Sequence, residues 1–96
     1  MSFVQLVEFS TSRIDEVVKL AEEMRAQNPE VTRSVRVLAC ADRDRPNQYV
    51  TIAEFPSYEA AMENSNRPEV SQFAAKMAEI CDGPPSFRNL DVRQTM

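Results

Sequence analysis

The chain contains no histidine and no tryptophan, and only one glycine and two cysteines in 96 residues. Each shortage removes a class of chemistry. Without histidine there is no Ser-His-Asp or Cys-His arrangement and no imidazole to move protons near neutral pH. One glycine builds neither a dinucleotide fingerprint nor a phosphate-cradling loop. Cys40 and Cys81 are far apart and form no C-x-x-C pair. A structural zinc ion needs about four ligands, usually Cys or His, so no metal is expected and both thiols read as reduced and partly buried. No apolar run approaches the roughly 20 residues that cross a bilayer. The start, Met1-Ser2-Phe3-Val4-Gln5, lacks the basic region and cleavage site of a signal peptide. A cytoplasmic location without membrane contact is therefore expected. The formal net charge of −4 argues against nonspecific binding to nucleic acid or anionic lipid. No aromatic-rich basic strand of the RNA-recognition kind is present.

What remains is a clear order of periodicities within one domain spanning residues 1–96. Phe3 to Phe9 is short, apolar and β-favouring, a strand. Ser12 and Asp15 have capping-box spacing. Beyond them Ile14, Val17, Val18, Ala21 and Met24 recur at helical spacing, opposite Asp15, Glu16, Lys19, Glu22 and Glu23. Asn28-Pro29 ends that helix, because a residue before proline avoids helical geometry. Ser34–Ala41 and Tyr49–Phe55 read as two further strands joined by the polar loop Asp42–Asn47. Ser57 is the expected N-cap of a second helical region. That region breaks at Asn66-Arg67-Pro68-Glu69, where Asn66 has cap spacing to Glu69, and resumes with Val70, Phe73, Ala74, Met77, Ile80 and Cys81. Gly83 stands where a helix C-terminus favours glycine, and Pro84-Pro85 blocks continuation. Phe87 to Arg93 is a last, more polar strand.

The strands are apolar on both faces. Phe3, Val7 and Phe9 oppose Val4 and Leu6, and Val37, Ala39 and Ala41 oppose Leu38 and Cys40. A sheet with helices on one side and water on the other should alternate cleanly. This one does not, and the chain has no further element to cover the second face. A symmetric homodimer through the sheet faces is the simplest arrangement that covers it.

Strand, helix, strand, strand, split helix, strand is the ferredoxin-like βαββαβ order, an α+β fold with a four-stranded antiparallel sheet. The turn Phe55-Pro56-Ser57-Tyr58-Glu59-Ala60-Ala61, then Arg67-Pro68-Glu69, then Phe73, resembles the dimeric α+β barrel superfamily, within it the antibiotic-biosynthesis-monooxygenase domains. The resemblance spans nearly the whole chain and rests on a degenerate motif. It implies homodimers whose sheets face each other as a barrel, with pockets between each sheet and its own helices. Some members of that family oxidise polyketide-like aromatic substrates with molecular oxygen and without metal or flavin, and others degrade haem. The haem-degrading branch uses an asparagine, a tryptophan and a helix histidine. Around the matching helix this chain offers Asn64, Phe73 and Ala74, so haem degradation is not expected. The tryptophan of the cofactor-free branch is missing too.

The leading functional expectation is a cofactor-independent monooxygenase-like protein for a small apolar or aromatic substrate, polyketide- or quinol-like, with no cofactor. The candidate donors that would stabilise a substrate anion are Arg36, Tyr49 and Tyr58. Candidate substrate-binding residues are Gln5, Met62, Asn64, Phe73 and Met77. Each has a plainer reading. Tyr58, Met62, Phe73 and Met77 at helical spacing read first as core, although methionines and aromatics also line pockets for flat ligands. Gln5, Arg36, Thr51 and Glu54 interrupt apolar strands and read as exposed edges or as a satisfied pair such as Arg36 with Glu54. The competing function is a non-catalytic dimeric small-ligand-binding or accessory module. A third, isomerase- or cyclase-like, would use Glu8 or Glu54 as base.

Overall fold

A computed structural model describes residues 2–29 and 36–95. Among them β1 (Phe3–Ser10) leads into α1 (Ile14–Gln27), followed by β2 (Arg36–Ala41), β3 (Gln48–Phe55), α2 (Tyr58–Ser65), α3 (Pro68–Ile80) and β4 (Ser86–Asp91). The strands form one four-stranded antiparallel sheet in the order β2-β3-β1-β4. This is the expected ferredoxin-like order with its second helix split. Ser34 and Val35, expected at the start of β2, lie outside the described residues.

Register assigns the two faces. Phe3 pairs with Phe55, Gln5 with Ala53, Val7 with Thr51 and Phe9 with Tyr49. Cross-strand partners share a face and the side-chain period is two. These residues face the helices, because Phe3 and Phe55 pack on Ala61 of α2 while Phe9 packs on Val17 of α1 and Met77 of α3. The same register carries Val37, Ala39 and Ala41 of β2 and Phe87, Asn89 and Asp91 of β4 onto the helix side. Val4, Leu6, Leu38, Cys40, Val50, Ile52 and Leu90 point the other way, away from the described helices.

The core is divided. One cluster joins Phe3, Phe55 and Ala61, with Ala53 and Met62 against it. The other joins Phe9, Val17 and Met77, flanked by Val7, Ile14, Leu20, Tyr49, Phe73, Ile80 and Cys81. The Phe3 ring meets Phe55 at 6.5 Å and the edge of Tyr58 at 5.4 Å, and Phe9 stacks on Tyr49 at 5.6 Å. Burial of each core phenylalanine is worth about 1.5–3 kcal/mol, so the aromatics of β1 and β3 hold the helices down.

Four local expectations need correction. Helix α1 starts at Ile14 with Arg13, not Ser12, at its N-cap. The Thr11 hydroxyl accepts the Arg13 amide at 3.0 Å and donates to the Ile80 carbonyl at 3.0 Å, so the chain enters the helix one residue later. Arg13 then pairs with Glu16 across the first turn, which raises the guanidinium pKa and lowers the carboxyl pKa. Asn66 is the C-cap of α2 rather than the N-cap of α3. The extended residue before α3 is Arg67, held at φ −72°, ψ 136°, because Pro68 disfavours helical geometry in its predecessor. The glycine is no left-handed cap either. Helix α3 ends in an extended Cys81, and Gly83 does not have positive φ. The one left-handed non-glycine residue described is Asn47, φ 63°, closing the β2–β3 loop, a conformation asparagine tolerates. Ser57 does cap α2, accepting the Ala60 amide at 3.1 Å. The last strand spans Ser86–Asp91 and is shorter than expected.

Thr11 ties three elements together. It is fully buried, its amide donates to the Asn47 carbonyl at 3.0 Å, and its hydroxyl holds the ends of α1 and α3. Thr11→Val keeps the shape and leaves the Ile80 carbonyl and Arg13 amide without that partner. Its expected cost is about 1–3 kcal/mol, read as a lower urea midpoint at unchanged slope. An unchanged midpoint would show that the hydroxyl does not bind these elements.

Candidate functional site

The helices rest on the central strands and leave the sheet edges open. On the helix side of β2, Val37 is 50% exposed, and on that of β4, Phe87 is 57% exposed. Between the two apolar clusters runs the row Val37, Ala53, Gln5 and Asn89. Beside it lies the row Ala39, Thr51, Val7 and Phe87. Ala53 packs against the first cluster and Val7 against the second. Gln5, half-buried, donates its side-chain amide to the Asn89 side-chain carbonyl at 3.2 Å.

The candidate residues divide by face and by cluster. Tyr58 opens α2, half exposed, with its ring edge-on to Phe3. Met62 packs on the same cluster. Tyr49, Phe73 and Met77 belong to the other cluster, and Met77 is buried. Gln5 lies in the row between them. Asn64 is half-buried near the end of α2, where its backbone carbonyl accepts the Arg67 amide at 3.2 Å. Arg36 is not brought together with these seven. It stands on the opposite face, 3.7 Å from the Glu54 carboxylate, with its side chain 70% exposed. Glu8 also points away from the helices. It lines a small open groove of about 170 Å³ at the sheet end, with Phe9, Ser10, Gln48, Gly83, Pro84 and Ser86. Ligand pockets usually run to about 300–1,000 Å³, and none of the eight candidates lines this groove.

Sequence reasoning missed Asn89 and the open ring of Phe87. Their shared parity in Ser86-Phe87-Arg88-Asn89 was visible, but only the β1–β4 register sets Asn89 opposite Gln5. The Cys81 thiol is partly buried, and burial together with the Asp82 charge pushes its pKa up. It is a packed thiol rather than an activated one. Among the described residues no group of three or more His, Cys, Asp or Glu side chains could hold a metal ion. No described helix is long and apolar enough to cross a membrane.

Solved structures superpose over nearly the full length of the chain. SnoaB from Streptomyces nogalater, a cofactor-independent oxygenase studied as an asparagine variant, matches with a TM-score of 0.82 at 18% identity, over 99% of this chain and 96% of that one. This chain has the antibiotic-biosynthesis-monooxygenase fold. An antibiotic biosynthesis monooxygenase matches at 0.75 and 17% identity, covering 98% and 100%. Rv0793 from Mycobacterium tuberculosis matches at 0.78 and 14% identity, covering 99% and 98%. No protein-family model and no curated protein matches the sequence. At such identities the likeness fixes the monooxygenase-type fold and not the reaction.

Core and open flank differ in energetic role within this fold. Met77→Ala empties a buried position between α1, α3 and β1 and is expected to cost about 2–5 kcal/mol. Phe87→Ala removes an exposed ring and should stay within about 0.5 kcal/mol of the parent. Urea unfolding of both variants checks the contrast. Equal losses would mean that Phe87 is part of the core.

Proposed function

We propose that the protein is a homodimeric, cofactor-independent monooxygenase for a small aromatic substrate of the quinol or polyketide type, bound on the helix side of the sheet. The observation that carries this reading is the polar row through Gln5 and Asn89 between two aromatic clusters, in a fold shared over its length with an oxygenase that needs no cofactor. The substrate supplies the reducing power. Its anion transfers an electron to oxygen, the two combine as a peroxide at the reacting carbon, and loss of water leaves a carbonyl. For an anthrone, one oxygen molecule is consumed, one oxygen atom enters the ring and the other leaves in water. The protein's part is to position the ring, exclude water and stabilise the anion. Tyr49 and Tyr58 are the candidate donors on the helix side. Arg36 could serve only a ligand held against the opposite face.

The opposite face supports the homodimer. Val4, Leu6, Leu38, Val50, Ile52 and Leu90 form a contiguous apolar surface by register. A second copy covers it with the same residues, as an isologous contact requires.

A second reading, a ligand-binding or accessory module without catalysis, is favoured by one observation. Met62, Phe73 and Met77 pack into the apolar clusters instead of standing around a void. Oxygen consumption separates the two. With anthrone as substrate, the metal-chelated protein should accelerate oxygen uptake over buffer with one anthraquinone formed per oxygen. Tyr49→Phe or Tyr58→Phe should lower kcat by about tenfold or more. Saturable binding of anthrone with no protein-dependent uptake would reject the monooxygenase and leave the binding module.

A further inference from the structure

We infer that the Gln5–Asn89 carboxamide pair is the polar anchor of the helix-side ligand site and takes a phenolic hydroxyl of the bound ring, an assignment that rests on the small-aromatic reading above. The argument begins with position. Every other helix-facing residue of β1, namely Phe3, Val7 and Phe9, is apolar and packs in one of the two clusters. Gln5 interrupts that run in a central strand, where an amide without partners costs free energy. Gln5 packs in neither cluster and is held by one hydrogen bond to Asn89.

That bond leaves complementary capacity unused. A carboxamide offers two N–H donors and an oxygen with two acceptor sites. The contact uses one Gln5 N–H and one acceptor site of Asn89, so the Gln5 Oε1 acceptor and the Asn89 Nδ2 donors are left over at the pair. A phenol is the matching group: its O–H donates to Gln5 Oε1, and its oxygen accepts from Asn89 Nδ2. On ionisation the oxygen accepts from Asn89 Nδ2 and from the second Gln5 N–H, so the pair serves the phenolate as well. The apolar flanks fit a ring. Phe3 with Tyr58 lies on one side of Gln5 along the sheet, and the exposed face of Phe87 lies on the other, two residues from Asn89 on the same face of β4. Asn89 is exposed, so a ligand reaches the pair from the open flank.

The test compares 1-naphthol with 1-methoxynaphthalene, which keeps the ring and the oxygen but cannot donate. Binding of each is followed by naphthalene fluorescence on the intact protein. The parent should bind 1-naphthol about tenfold more tightly, as one lost hydrogen bond implies. Gln5→Leu and Asn89→Leu should each weaken 1-naphthol alone and bring the probes within about twofold. Asn89 is exposed, so its variant is informative even where Gln5→Leu fails to fold. Two results overturn the assignment and leave the monooxygenase reading standing: discrimination that persists in both variants, or equal weakening of both probes. Failure of the parent to bind either probe would overturn this assignment and the aromatic-ligand reading together.

Discussion

The sheet has two apolar faces and the described helices cover only one of them. That constraint governs the rest of the structure. Phe3, Phe9 and Phe55 spend their burial on α1, α2 and α3. Val4, Leu6, Val50 and Ile52 sit directly behind them, half-buried, on the side away from the described helices. Leu38 and Leu90 extend this surface to the sheet edges at 43% and 38% exposure. Such a contiguous apolar surface marks an association site. The proposed symmetric sheet-to-sheet contact would satisfy it and leave the helix side of each copy free for the proposed ligand site.

Much of this order was legible in the sequence, for physical reasons that can be named. Short, β-favouring apolar runs in Phe3–Phe9 and Tyr49–Phe55 identified the strands, and a period of two places their aromatics on one side. Ile14, Val17, Val18, Ala21 and Met24 marked α1, and Pro68 marked the break between α2 and α3. The helix ends were less legible. Ser12 resembled a cap until Thr11 bound both Arg13 and Ile80, a contact across 69 positions that no local spacing signals. Gly83 resembled a left-handed terminus, yet the chain leaves α3 extended and needs no such residue.

The candidate site was legible in residue type and not in geometry. Gln5 stood out as a polar interruption, but its partner Asn89 is fixed by the β1–β4 register. Arg36 and Glu54 were recognisable as a pair, and only register puts that pair on the face away from the helices. Tyr49 faces the helices from β3 and Tyr58 stands on α2 over the sheet, and each lies against a different phenylalanine in a different cluster. The candidate site is thus a polar pair, Gln5 with Asn89, framed by two aromatic groups rather than a focused set of acids and bases. Such an arrangement suits chemistry in which the substrate brings its own electrons and the protein contributes position and a polar contact.

The covered second face is the claim on which this account turns, and sedimentation equilibrium of the parent and of Ile52→Glu tests it most directly. Ile52 lies at the centre of the open face, paired with Leu6 and Leu38. A buried, unpaired carboxylate there is incompatible with a dry contact. The account predicts a parent of twice the chain mass and a folded variant of single chain mass at micromolar concentration. A cooperatively folded monomeric parent, or a variant that remains a dimer, would contradict it.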